Sequence, residues 1–594
     1  MTGQSWRVES MYFDGDQLFQ IPQHKEKMPE GAIEPPRRLP RRPISSILRL
    51  CLVVVSAACL CGWLTVRSYS QKTDEIFGTH QQRHTPINLV LMISDGYGPA
   101  SHTMVRSFYR ALRDNNSIPA FGSTLPLDAD LVGSHRSSSS DSLITDSAAG
   151  ATAFSCGKKS FNGGIGVDAD GVACGTIFEA AKAREYLTGV VATSRLTDAT
   201  PASFFAHVAS RSEESLIASQ MLVRPYPGAE RTIDLAIGGG GCYFLPKSNP
   251  LSCRKDDKDL VSIAKAAGWD VNLGPTMITQ SANPQMSKTG PHGEQLIFAQ
   301  ATKETPELSF KSVEHRLPFL SLVTPFNTPY VIDNLHHASQ SRRQQDLASL
   351  SQQAIRMLAG AARIGQLSKS CHHQRPKGFM LMVEGSQIDL CQHQNDPACM
   401  VREAVAYQEA AAAIKQEVDA LNARGQPTLL ISTSDHETGG LTLGRQLGSG
   451  YPKYEYHPER LIKAQASAQT LSCRLLDFLK GSYTDAELRN FISTSILGAD
   501  GGLGLGGKST GGDVTDEEIQ RVLDCLDAVQ SHLTFSIKGD ACRTAIAEIA
   551  SRRAQVGWST PGHTGVDINV YAYGHGSAGL KGNIENTEVS LKTF

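Results

Sequence analysis

Ile87-Asn88-Leu89-Val90-Leu91-Met92-Ile93-Ser94-Asp95-Gly96 is an apolar run that stops on an acid and a glycine. A strand apolar at successive positions has no solvent face, so it belongs inside a parallel sheet covered on both sides. The construction recurs: Leu187-Thr188-Gly189-Val190-Val191-Ala192-Thr193 leads to Asp198, Phe379-Met380-Leu381-Met382-Val383 to Glu384, and Thr428-Leu429-Leu430-Ile431-Ser432 to Asp435-His436. Helical patterns such as 402–410 lie between them. The predicted fold is therefore α/β, a largely parallel central sheet flanked by helices on both faces. Ligands of such sheets bind outside the carboxyl ends of the strands, where these acids converge on one rim.

Alone, an Asp after a strand is ordinarily a turn or cap residue, and a lone His a surface or core residue. Gathered at one rim they repel or desolvate one another unless cations neutralise them, so a metal cluster is the economical reading. Asp389 and His393 are four apart, one face of a helical turn suited to a single ion. Asp435-His436 offers an oxygen and a nitrogen side by side, and Gly562-His563-Thr564-Gly565 a further imidazole in a glycine-flanked loop. His336-His337 and His372-His373 lie in polar surroundings and read as surface residues.

Thr145-Asp146-Ser147-Ala148-Ala149-Gly150-Ala151-Thr152-Ala153-Phe154 sets a hydroxyl before a run of small residues that can pack a helix tightly under the sheet. Ser147 would ordinarily be the N-cap of such a helix. At that helix end the unpaired amides and the dipole also favour a negative group, such as a phosphoserine.

The first 49 residues lack a sustained apolar period and end in the Pro- and Arg-rich run 34–43, a polyproline-like tail. Residues 50–66 carry no charge and follow several arginines, which predicts a single transmembrane helix with the N-terminus cytoplasmic. A stem over 67–86 then leads to a domain over 87–594, with a cap insertion at about 445–556. Of 13 cysteines, three lie in the apolar span, and an even remainder beyond the membrane suggests disulfides; the close spacings 156/174, 242/253, 391/399 and 525/542 are the candidate pairs. Asn115-Asn116-Ser117 is a glycosylation sequon. A formal net charge of −2 gives no reason to expect nucleic acid. The glycine-rich run 498–512 has no apolar strand before it and reads as a flexible loop, not a phosphate loop.

Five pieces in order resemble the alkaline phosphatases, most closely the fungal vacuolar members: Ser94-Asp95-Gly96, Thr145–Ala149, Thr197–Ala202, Ser434–Gly440 and Pro561–Gly565. The resemblance implies hydrolysis of small phosphate monoesters through a phosphoserine on Ser147, with Arg211 binding phosphate. It implies one zinc on Asp389, His393 and His563, a second on Asp95, Asp435 and His436, and a magnesium near Asp198, Thr200 and Glu384, bridged by Asp95. It further implies a homodimer and a single-pass type II protein of the vacuolar membrane with a lumenal catalytic domain. One position departs: the family usually has His or Lys after the aspartate here numbered 389, and this chain has Leu390.

Two other readings differ in what they require. A sulfatase or phosphodiesterase of the same superfamily would use similar ligands, but a sulfatase needs a modifiable Cys or Ser followed by Pro and Arg, a context Asp146-Ser147-Ala148-Ala149 lacks. A catalytically silent, membrane-anchored binding protein would have no need of Ser147, Arg211 and the full ligand set together.

Overall fold

The opening apolar run forms β1, Asn88–Ile93, with every residue buried. The computed structural model describes residues 88–113, 124–222, 231–278, 316–334, 346–367, 376–499, 501–507, 511–527 and 535–591. The expected tail, membrane span and stem lie outside these residues, as do Asn115, Cys371 and the histidines at 336, 337, 372 and 373 that read as surface residues. Among the described residues no helix is long and apolar enough to cross a membrane.

The next strands are β2 Leu131–Arg136, β3 Leu187–Arg195, β4 Leu235–Gly239, β5 Asp270–Leu273, β6 Phe319–Leu322, β7 Phe379–Glu384 and β8 Thr428–Thr433. Four short ones follow, β9 Glu437–Thr438, β10 Thr442–Leu443, β11 Val556–Gly557 and β12 His563–Thr564, then β13 Ile568–Gly574 and β14 Gly582–Glu585. Ten strands form one sheet in the order β14-β2-β13-β8-β1-β7-β3-β4-β6-β5. Its pairings are parallel except the two made by β13. The acid-tipped strands β8, β1, β7 and β3 are consecutive neighbours.

The main helices are α1 Pro99–Arg113, α2 Ser147–Cys156, α3 Leu347–Leu367, α4 Gln387–His393, α5 Pro397–Ala423, α6 Ala468–Phe478 and α7 Phe535–Ala554. Strand alternation divides β1 between two cores. Val90 and Met92 pack with Phe108 of α1, Leu358 of α3 and Tyr407 of α5, whereas Leu89, Leu91 and Ile93 pack with Ala148 and Phe154 of α2. Each fully buried aliphatic side chain contributes roughly 1.5–3 kcal/mol. The long α5 starts where Asp396 accepts from the amides of Ala398 and Cys399, with Pro397 opening the helix, and it ends just before Gly425, whose φ is 71°. Its buried face underlies both sheet and cap.

In the segment expected as a cap, Leu471 and Leu475 of α6 and Ile546 and Ile549 of α7 belong to the same core as α5. The described part of 498–512 corrects the expectation of a flexible loop, because Leu503 and Leu505 are buried and the Gly504 amide closes on the Gly498 carbonyl at 2.9 Å. Disulfides join Cys156 to Cys174, Cys242 to Cys253, Cys391 to Cys399 and Cys525 to Cys542, the four expected pairs, and among the described residues Cys473 has no disulfide partner.

Glu403 on α5 is buried and accepts the Val331 amide at 2.6 Å; burial, with Asp333 nearby, pushes its pKa up to about 8. The folded state then holds a proton that the unfolded state has released, so stability falls as pH rises from the unfolded value to about 8 and levels beyond it. Glu403→Gln, which keeps an acceptor and carries no charge, should raise the melting temperature by a few degrees at pH 9 and by less at pH 5. Calorimetric melts of both proteins at the two pH values test this; an equal shift at both would remove Glu403 as the cause.

Candidate active site

The rim is built by chain reversals at the ends of adjacent strands. Asp95 lies just beyond β1, Glu384 ends β7, Asp198 follows β3 and Asp435-His436 follow β8. Asp95 has φ 27° and Gly96 φ 74°. A Cβ on Gly96 would fall 2.8 Å from the Asp389 Cα, so glycine lets the turn pass close under α4. Asp389 and His393 share a face of α4, as their spacing predicts, with Asp389 Oδ2 3.1 Å from His393 Nε2. His563 sits not in a free loop but in β12, paired antiparallel with β9 so that it lies opposite Thr438.

Helix α2 carries Ser147 into this rim. Asp146, not Ser147, is its N-cap, accepting from the Ala149 amide at 3.0 Å, so the ordinary capping expectation for Ser147 is corrected and its hydroxyl is left for other work. The small residues have a specific use: a Cβ on Gly150 would lie 3.0 Å from the Asp435 Cβ. Ser147 is buried, and its Oγ lies 3.0 Å from His436 Nε2.

The histidines are oriented from behind. His393 Nδ1 donates to the Pro561 carbonyl at 2.6 Å and His563 Nδ1 to the Thr145 carbonyl at 2.8 Å, which leaves each Nε2 as a lone pair. Those two Nε2 atoms face each other at 3.1 Å, with Asp389 Oδ1 3.6 Å from that of His563. The Thr438 hydroxyl donates to Asp389 Oδ1 at 2.5 Å and accepts from His436 Nδ1 at 3.2 Å, turning His436 Nε2 toward Asp435 Oδ2 at 3.3 Å and Asp95 Oδ1 at 3.4 Å. Two groupings have ligand geometry: Asp389, His436 and His563, and Asp95, Asp435 and His436. His393 adjoins the first through both Asp389 and His563.

The electrostatics ask for cations. Burial, then Asp435 and Asp389, raises Asp95 well above the usual carboxylate range, and burial lifts Glu384 to about 8. Burial pushes His563 down to about 4, with His436 adding to the effect. Asp95 Oδ1, Asp435 Oδ2 and Thr200 Oγ1 are buried and make no hydrogen bond. Opposed imidazole lone pairs, crowded carboxylates and orphaned oxygens fit divalent ions. The nitrogen-bearing groups suit zinc, while Asp198, Thr200 and Glu384 offer only oxygen, the donor set for magnesium.

Above the rim, Arg211 donates to Asp146 Oδ2 and to Asp198 Oδ1, both at 3.2 Å. Thus Ser147, Arg211 and the expected ligands other than Thr200 are brought together at one edge of the sheet; Thr200 stands two residues after Asp198 with its hydroxyl buried. Sequence reading missed Thr438 and Arg195. Thr438 stands inside a motif already singled out, yet only the fold sets it between Asp389 and His436. Arg195 ends β3 three residues before Asp198 and pairs with Asp198 Oδ2 at 2.9 Å.

The profile of the family described as Alkaline phosphatase matches residues 87–289 and 298–593. The chain belongs to the alkaline phosphatase family. Among curated alkaline phosphatases it is 36% identical to the repressible enzyme of Saccharomyces cerevisiae, over 96% of this chain and 90% of that one. It is 37% identical to the alkaline phosphatase of Schizosaccharomyces pombe, over 86% and 82%. Of solved structures, the cold-active alkaline phosphatase of a psychrophilic Shewanella superposes with TM-score 0.61 at 27% identity, covering 85% of this chain and 98% of that one. The Thermus thermophilus alkaline phosphatase does so with TM-score 0.60 at 25% identity, over 87% and 94%. As an alkaline phosphatase the chain is a phosphate monoester hydrolase of a metal-dependent family.

Stripping metal ions should lower the melting temperature by about 10 °C or more, because crowded buried carboxylates lose compensation, and divalent ions should restore it. Differential scanning calorimetry before and after chelation measures this; an unchanged transition would mean that the rim folds without cations.

Proposed function

We propose that the chain hydrolyses small phosphate monoesters in two displacements through a phosphoserine on Ser147. The observation that carries this reading is the 3.0 Å approach of Ser147 Oγ to His436 Nε2, the imidazole shared by both ligand groupings. Asp389, His393 and His563 would hold one zinc, Asp95, Asp435 and His436 the other, and Asp198, Thr200 and Glu384, with Asp95, a magnesium. Such a third ion has support in a solved relative, a variant of an Antarctic bacterial alkaline phosphatase with magnesium bound in its M3 site. When bound, the ions supply the positive charge that lowers the pKa of the serine hydroxyl and of water and steadies the departing oxygen.

The chain's own residues do the rest. Arg211, tethered lightly by Asp146 and Asp198, offers a planar fork to two phosphate oxygens. Ser147 Oγ attacks phosphorus in line, forming the O–P bond as the bond to the alcohol oxygen breaks; that oxygen leaves and takes up a proton. Water then attacks from the vacated side, releasing inorganic phosphate and returning a proton to Ser147. Two inversions give retention at phosphorus. The new phosphoserine sits at the N-terminus of α2, where helix amides and dipole favour its charge.

The same reading makes residues 50–66 a signal-anchor, with the catalytic domain in the vacuolar lumen, Asn115 glycosylated, and the chain a homodimer. It rests on the uncharged run with its arginine flank and on the similarity to the yeast enzyme across 96% of this chain. Cysteine pairing in the catalytic domain agrees with an oxidising compartment.

Ser147→Ala should lower hydrolysis of an aryl phosphate at alkaline pH by roughly a thousandfold or more. It should also abolish the radiolabel that wild type retains after an acid quench with labelled phosphate. Undiminished turnover, or label on another residue, would overturn the serine mechanism.

A further inference from the structure

Asp198 is gripped from two sides. Its Oδ2 pairs with Arg195 Nη2 at 2.9 Å, and its Oδ1 takes Arg211 Nη2 at 3.2 Å and the Ala199 amide at 2.8 Å. The two arginines are held differently. Arg195 is locked on its remaining sides: Nε donates to Glu214 Oε2 at 2.8 Å and Nη1 to Asn327 Oδ1 at 3.0 Å. Glu214 is in turn held by the Thr197 hydroxyl at 2.6 Å, and Asn327 by the Arg195 amide at 3.1 Å. Among the described residues Arg211 has two 3.2 Å contacts on its guanidinium, and its side chain is 37% exposed. Among the described residues no other cation forms an ion pair with Asp198.

We infer that Arg195 is a positioning residue that takes the larger share of the Asp198 charge, and so sets both how freely Arg211 engages phosphate and how strongly Asp198 holds its cation. The inference rests on the phosphomonoesterase reading above and deepens it. An unshared carboxylate would draw Arg211 inward and compete with phosphate for the same N–H groups, because a guanidinium has a fixed set of donors. With Arg195 present, Asp198 is already half compensated and Arg211 stays loose. The same sharing acts oppositely on the metal: a carboxylate paired with arginine is a poorer magnesium ligand, since the two cations compete for its oxygens.

The two effects have opposite signs, which separates positioning from mere structural damage. In Arg195→Gln, inorganic phosphate should bind about tenfold more weakly and KM for an aryl phosphate should rise in step, with kcat changed less than about threefold. Magnesium, titrated calorimetrically into zinc-loaded, magnesium-stripped protein, should bind about three- to tenfold more tightly. Arg195→Lys, which restores charge without the fork, should recover part of both, and it keeps the test open should Arg195→Gln fail to fold. Phosphate affinity within twofold of wild type, or weaker binding of both phosphate and magnesium, would overturn the inference. Wild-type turnover that depends on Ser147 alongside an unaffected Arg195→Gln sinks this inference alone, whereas turnover independent of Ser147 sinks the reading beneath it.

Discussion

Negative charge gathered without solvent at one edge of the sheet is the constraint to which the surrounding structure answers. Asp95, Glu384, Asp389 and Asp435 are all buried, and Asp198 is close enough for its charge to be felt by Asp95 and Glu384. No apolar core tolerates that unless protons, arginines or metal ions supply the opposite charge. Arginines bracket Asp198, while burial and neighbouring carboxylates push Glu384 and Asp95 toward the neutral form unless a cation replaces the proton. The parallel sheet is what concentrates the charge, because its central strands all end at the same edge.

Close packing keeps the site narrow. Gly96 passes under Asp389 at a distance that a side chain would prevent, and Gly150 lies close under Asp435, where a Cβ would be tight at 3.0 Å. The backbone carbonyls of Thr145 and Pro561 fix the tautomers of His563 and His393, so the imidazoles are aimed by chain segments distant in sequence from them. One hydroxyl, that of Thr438, ties Asp389 of the first grouping to His436, the residue common to both. The two groupings are therefore mechanically linked even before any ion binds, and the serine lies against their shared member. Helices α6 and α7 and the long α5 contribute from outside: they belong to the core that includes Ile388 and Cys391 of α4, and the Cys391–Cys399 disulfide joins α4 to α5.

Much of this was legible without a structure, for identifiable reasons. Unbroken apolar runs ending in acids mark central parallel strands because a strand with two buried faces has no other composition available. Asp389 and His393 share a face because helical periodicity requires it. Cysteines close in sequence paired as expected. Other expectations went astray where local chemistry was ambiguous. Ser147 and Asp146 are both good caps, and only the placement of the Ala149 amide decided for Asp146. The glycine-rich run looked loose because glycine carries no packing signal, yet Leu503 and Leu505 anchor its described part.

Sequence by itself determined the class of fold, the identity of the nucleophile candidate and the ligand types, since periodicity, buried-strand composition and motif order are local properties of the chain. Tertiary structure alone decided which side chains share charge. Arg195 reads as one more residue at a strand end until folding brings Glu214 and Asn327 around it and sets Asp198 between it and Arg211. Thr438 likewise acquires a task only when α4 and β12 close on β9. Such roles depend on distances across segments far apart in the chain, and Coulomb and hydrogen-bond energies depend on those distances and on burial, neither of which residue order records.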